Sequence, residues 1–409
     1  MIHNSSKLTL QTIFFIIINN VYVQRQAMIV FYSRYTKRGQ KHFIFKTLIL
    51  RLNIKETLKA MTLSYSHSHQ QGSGTTEVVA VLVAITEHTA RVLTVDQGKL
   101  LPNGPLMPLH RSLQAGVRQW VEEQTQQPLG YLEQLYTFVD TNRRNIDGHA
   151  LVYVSYLGLV QETQMQALPS QALWRDWYDY FPWENHLDGT PSMIRDYIVP
   201  ALLSWADSAA ETVVQQRRRQ RIGLCWGISE ETLAVDRLKD TDKALNDDKS
   251  YENKAHENRE WVAEHVLLRY EMFYEAGLIP EAPTYPPSYQ VKLPANWSQL
   301  IGVPMYYDHR RVIATAISRL RAKIEYRPLI FGLMPDVFTL SHLQQSVEAL
   351  SGVRLHKQNF RRLLDAQNLV METGQSSSAQ RGRPAKLYRF RHDIELQSLL
   401  MDSKLPKRK

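Results

Sequence analysis

The chain has 409 residues, 44% of them hydrophobic and 22% charged, with a formal net charge of +9. That length holds two or three domains with full cores. The single cysteine, Cys225, excludes an intrachain disulfide and a cysteine-based metal site, and a reducing cytoplasm fits such usage.

Residues 1–60 carry ten Lys/Arg against one acid, Glu56, so this segment holds a net +9 and the remainder sums to zero. The segment is rich in Ile, Phe, Asn, Lys and Tyr and shows no usable periodicity. Its apolar run Ile13–Ile18 is far shorter than the ~20 residues that span a bilayer, so no membrane partner is expected. Residues 1–76 read as an atypical extension, either disordered or carrying a mis-called start, with Met61 a candidate true start.

From Val78 the pattern becomes regular. Val78–Thr86 and Ala90–Val95 read as strands joined by a short polar turn, and Leu101–Leu109 as a Pro/Gly loop. Arg111–Glu123 has helical spacing, with Leu113, Val117 and Trp120 or Val121 on one face. Leu132–Val139 and Ala150–Val160 are two more strands, with Asn142–Gly148 as their turn. The succession predicts an α+β domain with a mixed sheet over 77–169.

The next stretch changes character. Trp174, Trp177, Tyr178, Tyr180, Phe181 and Trp183 crowd one segment, and most such clusters are core or interface packing. Met193–Ala210 and Trp261–Ala276 read as amphipathic helices. Asp240–Glu260 is a flexible loop or a solvated helix face, and Pro280–Pro287 a rigid linker-like stretch. A helix over Asp308–Glu325, with Val312, Ala316, Ile317 and Leu320 inward, leads into the last module.

That module is the most informative. Thr339 can cap a helix in which Leu340, Leu343, Val347 and Leu350 recur at helical spacing. Ser351-Gly352 punctuates the turn. A second helix from about His356 buries Phe360, Leu363 and Leu364 and turns Lys357, Gln358 and Arg361 outward, with Arg362 at its flank. Leu369–Glu372 and Ala385–Arg391 pair as a wing, and between them Arg381-Gly382-Arg383-Pro384 resembles the core of an AT-hook. Arg354–Arg391 holds nine Lys/Arg against Asp365 and Glu372.

The pattern is a winged helix-turn-helix over 336–395, with a basic tail at 396–409. Its expected partner is a double-stranded DNA operator. Lys357, Gln358, Arg361 and Arg362 would reach base edges and phosphates, and Arg381 and Arg383 the minor groove, with Lys386 a further DNA-binding residue. One recognition helix reads few base pairs, so a homodimer on a palindromic site is expected.

The stretch LPNGPLMPLHRSLQAGVRQWVEEQTQ at 101–126 resembles a degraded Nudix box. Gly104 and Arg118 stand at the box spacing, Trp120 fills its apolar position, and Glu122 and Glu123 are retained. His110 and Gln119 replace two of its glutamates and Thr125 its last glycine. Positions 119, 122 and 123 share a helical face, where three carboxylates would gather Mg²⁺ beside a diphosphate. Gln119 is neutral and His110 prefers softer metals, so the cluster is weakened.

With QLYTFVD at 134–140, HALVYVSYLGLV at 149–160, YYDHRRVIATAISRLRAKIEYRPLIFGLMP at 306–335 and the winged helix, the chain resembles Nudix-related transcriptional regulators of NAD metabolism of the NrtR and NadQ kind. WYDYFPWE and RYEMFYEAGLIPEA look most like the longer NadQ-like branch. The resemblance implies a Nudix-like α/β/α sandwich at 77–169, a largely helical insertion at 170–300, and a closing helix and connector at 301–335. It also implies an effector cleft at Gly104, Arg118, Glu122 and Glu123 for ADP-ribose, NAD or ATP. No catalytic residue and no required cofactor are expected, Mg²⁺ entering only with a bound nucleotide through Glu122 and Glu123. An active Nudix hydrolase is the alternative.

Overall fold

The computed structural model describes residues 76–130, 132–144, 150–162, 168–228, 261–326, 330–377 and 384–391. All lie in the second of two compact units, residues 72–409. Expectations for residues 1–75, 240–260 and 396–409, and for Arg381 and Arg383, fall outside the described residues.

A six-stranded mixed sheet organises the part of the chain ahead of the winged helix. Its strands are β1 (Thr76–Thr86), β2 (Thr89–Thr94), β3 (Asn103–Pro105), β4 (Leu132–Arg144), β5 (Ala150–Leu159) and β6 (Leu173–Asp176). They run in the order β4-β5-β1-β2-β6, with β3 also on β1. β1 and β5 are parallel, and the other pairs are antiparallel. β1 is central because its sequence, TEVVAVLVAIT, is a continuous apolar run that suits burial on both faces. Val79, Val81 and Val83 point into one core and Val78, Ala80, Leu82 and Ala84 into the other.

Helix α1 (Leu113–Thr125) covers the second face with Val117, Trp120 and Val121. It starts two residues after the expected Arg111, because Ser112 caps it by accepting from the Ala115 N–H at 3.0 Å. The opposite face is covered by the insertion and the connector, so a layer of helix lies on each side of a mixed sheet. This is the Nudix-like sandwich that the sequence implied.

The insertion carries α2 (Val199–Asp207), α3 (Thr212–Trp226), α4 (Val266–Glu275) and α5 (Trp297–Leu300). The expected helix over 193–210 forms in two pieces, a π-turn at Ile194–Ile198 running into α2. Sequence reasoning missed α3 and β6. The aromatic segment is core, as expected: Trp177, Tyr180, Phe181 and Trp183 are fully buried, and the Trp183 and Phe273 rings lie 4.6 Å apart. The 280–287 stretch is not a spacer. Ala282 is buried, and Glu281 is drawn inside to pair with Arg310 at 3.0 Å, which ties the proline-rich loop to the connector.

The connector α6 (His309–Tyr326) leads to the winged helix, formed by α7 (Leu340–Ser351), α8 (Lys357–Ala366), β7 (Val370–Ser376) and β8 (Lys386–Phe390). Thr339 caps α7 as expected, accepting from the His342 N–H at 3.1 Å. Gly352 ends it with φ of 76°, a left-handed turn that glycine adopts without strain. One hydrophobic core runs from Val79 through Trp183, Phe273 and Ile317 to Leu343 and Phe360.

Candidate nucleic-acid interface and effector cleft

α8 has the division of labour that a reading helix needs. Phe360 and Leu364 are buried and Leu363 half-buried, which fixes the helix from behind. Lys357, Gln358, Arg361 and Arg362 are all exposed, and among the described residues none of their side chains makes a hydrogen bond or ion pair. Long donors left unengaged on a rigid helix are free to meet phosphates and base edges.

The wing is anchored to the same body. Phe338 and Tyr388 exchange backbone hydrogen bonds at 2.9 and 2.8 Å, and Phe390 packs against Phe331 and Phe338. β7 extends to Ser376, four residues beyond the expected strand. Lys386 is engaged rather than free: its Nζ donates to Glu372 Oε2 across the hairpin at 3.0 Å. Both partners are exposed, so a phosphate could displace the carboxylate at little cost. Arg354 is also engaged, with Glu348 and with the Leu187 carbonyl. A simple count of cations over 354–391 therefore overstates what is available to DNA.

The degenerate box folds as the spacing suggests, and its four proposed cleft residues stand in different local settings. Gly104 is buried in β3, and a Cβ at that position would collide with the Trp120 ring. Its place is a close strand-helix approach, completed by Trp120 Nε1 donating to the Pro105 carbonyl at 2.9 Å. Arg118 turns to the loop beyond α1, where it donates to the carbonyls of Leu129 (3.1 Å) and Gly130. Glu122 and Glu123 are exposed.

Three positions of the box, 110, 119 and 123, form a directed chain here. The Met107 N–H donates to His110 Nδ1 at 2.9 Å, which places the proton of a neutral ring on Nε2. Nε2 then donates to Gln119 Oε1 at 3.0 Å, and Gln119 Nε2 donates to Glu123 Oε1 at 2.7 Å. Each group is satisfied by its neighbour. With an amide at 119 and Glu123 engaged, Glu122 is the one box carboxylate outside the chain, a poor match to a hard dication, which takes mostly carboxylate and water oxygen. No cluster of three or more His, Cys, Asp or Glu side chains suited to a metal occurs among the described residues.

Residues 330–390 match the NrtR DNA-binding winged helix domain, a span that begins at the connector's end and closes with β8. Over this segment the chain is similar to NrtR winged helix domains. A 92-residue stretch is 40% identical to an ADPR responsive transcriptional repressor, NtrR, of Acinetobacter baylyi. That match spans 22% of this chain and 36% of the relative's length. The chain is also similar to the crystal structure of Shewanella oneidensis NrtR complexed with a 27mer DNA. Identity is 20%, with 78% of this chain and 94% of that one covered, and the TM-score is 0.41. The NUDIX domain of the same Shewanella protein, complexed with ADP ribose, is 25% identical over 27% of this chain and 79% of its own, with a TM-score of 0.23.

In this winged helix the mounting is as distinctive as the basic face. The C-terminal end of α7 meets a buried cluster of Glu184, Arg269 and Arg321, which sequence reasoning missed entirely. On the connector, Arg319 and Lys323 reach Glu133 of β4, while Arg321 between them faces the winged helix. α6 thus grips the six-stranded sheet with one face and the winged helix with the other.

Proposed function

We propose that the chain is a DNA-binding transcriptional repressor of NAD biosynthesis or salvage genes, a cytoplasmic homodimer that senses an NAD-related nucleotide through a catalytically degenerate Nudix-like domain. The observation that carries the reading is the unengaged basic face of α8, within a segment matching an NrtR DNA-binding domain. The name of the Acinetobacter relative couples ADP-ribose to repression, which makes ADP-ribose the first effector to try, ahead of NAD and ATP. No helix among the described residues is long and apolar enough to cross a membrane.

Regulation follows from linkage: an effector that prefers one geometry shifts the population toward it. The connector is the element to carry that shift, since Glu133 on the sensor sheet and Leu350 at the end of α7 are both bonded to it. The test is a gel shift on the gene's own upstream region, titrated with ADP-ribose, NAD, NADH and ATP. Binding at low ionic strength, altered by one nucleotide, is expected. Affinity indifferent to all four would end the sensor reading, and no binding would end the DNA reading.

The hydrolase alternative rests on the retained Glu122 and Glu123. Mg²⁺-dependent turnover of ADP-ribose would favour it. The His110–Gln119–Glu123 chain argues against it, because it leaves Glu122 as the box carboxylate not engaged by that chain.

A further inference from the structure

The turn between α7 and α8 is held from outside the winged helix. Three carbonyls at its start are taken up by groups from elsewhere: Ala349 by Tyr178 Oη at 2.7 Å, Leu350 by Arg321 Nε at 3.0 Å, and Gly352 by the His186 N–H at 2.7 Å. Two of the three donors belong to the aromatic insertion and one to the connector. The backbones meet so closely that a Cβ at Gly352 would lie 2.5 Å from the Glu184 carbonyl oxygen.

Glu184 is the centre of this arrangement. Its fully buried carboxylate accepts from Arg269 Nε at 2.6 Å and Nη2 at 2.8 Å, and from Arg321 Nη1 at 2.7 Å. Arg269 goes on to the Cys225 carbonyl at the end of α3, as Arg321 does to Leu350 at the end of α7. Two cations therefore satisfy the C-terminal carbonyls of two helices, where positive charge is favoured, and one anion makes their burial tolerable.

We propose that Glu184 is a positioning residue for the reader: through Arg321 and its own backbone it fixes the α7–α8 turn to the body of the protein and sets the angle at which α8 meets DNA. The proposal rests on the DNA-binding reading above. It gives the insertion a role, that of a mount. Replacing the carboxylate with an amide keeps its shape but leaves two buried guanidiniums facing a neutral group. Arg321 then loses its anchor, and the turn loses its reference point. The basic face of α8 is untouched, so attraction to phosphates persists while the register of base contacts is lost.

The experiment compares wild type, Glu184→Gln and Tyr178→Phe. Binding is measured to a duplex that the wild type selects from a random pool and to an unrelated duplex of equal length. Hydrogen exchange is followed over residues 345–356. For Glu184→Gln, preference for the selected duplex falls about tenfold or more, out of the typical 10³–10⁷, while affinity for the unrelated duplex barely changes. Exchange at 349–354 accelerates selectively. Tyr178→Phe leaves the ion cluster whole and shows the same change in smaller size. Unchanged preference in folded Glu184→Gln overturns the proposal. So does an equal fall on both duplexes, which marks general damage to the fold. If Glu184→Gln does not fold, Tyr178→Phe decides: unchanged preference and unchanged exchange overturn it. If the wild type selects no duplex, the DNA reading fails, and exchange alone judges the mount. Selective deprotection at 349–354 in the variants then supports it, and unaltered protection overturns it.

Discussion

Arg361 and Lys386 are both exposed cations of the winged helix, yet the structure gives them different prospects. Arg361 projects unengaged from α8, whereas Lys386 is paired with Glu372. Arg361→Ala should cost about 1–3 kcal/mol of operator binding and relax specificity at one base pair if it reads a base edge. Lys386→Ala should cost less and act alike on every sequence. Fluorescence anisotropy on single-base operator variants distinguishes the two patterns, and equal effects on all variants would remove Arg361 from base reading.

His186 offers a second prediction at this scale. Burial, reinforced by Arg269 and Arg321, lowers its pKa to about 4 despite the nearby Glu184 and the bond to the Trp183 carbonyl. In the unfolded chain the ring protonates near the ordinary value of about 6.5. The folded state therefore loses stability as pH falls from about 6.5 to about 4, by roughly 2–3 kcal/mol, and keeps it above that window. Glu184 adds a later loss. Burial raises its pKa, but Arg269 and Arg321 outweigh burial and hold it below the usual carboxylate range, so its contribution fades only on stronger acidification. Urea midpoints at pH 7 and pH 4.5 should differ accordingly, and His186→Gln should flatten the difference. A slope that survives the substitution would have another source.

Among the elements, the degenerate box shows how a motif can be right in spacing and different in use. Gly104 and Trp120 stand where the box requires them, and the structure uses them to bring β3 and α1 together. Gly104→Ala should destabilise the fold by about 1–3 kcal/mol through overpacking, read as a lowered melting temperature without ligand. An unchanged melt would mean that Trp120 moves aside freely.

The same contrast explains what was legible in the sequence. β1 declares itself because every residue from Val78 to Ala84 is apolar and buried, and α7 because Thr339, a leucine stripe and Gly352 mark its start, face and end. α3 gave no such signal. Its middle reads QQRRRQR, and its buried residues, Ile222, Gly223, Cys225 and Trp226, crowd one end. Strand β6 hid inside an aromatic cluster, whose tryptophans signal burial without signalling a period. Glu184 could not be found locally either. Its partners are 85 and 137 positions away, and a carboxylate beside aromatic residues ordinarily reads as solvated.

For the whole molecule, charge sets the terms of association. The unengaged cations of α8 should make operator affinity fall steeply with salt, with a log–log slope of about −0.9 per phosphate contacted. Dimerisation on a palindrome would double that slope relative to a half-site, which titrations between 50 and 200 mM salt can resolve.

The shared interior that joins Val79 to Phe360 has a thermal consequence. A reader hung on a loose tether would melt by itself, leaving the sheet to unfold later. With Leu343, Val347 and Leu350 packed into the interior that also holds Trp177 and Ile317, neither half can open without exposing the other. Scanning calorimetry should record the sheet and the winged helix melting together in one endotherm.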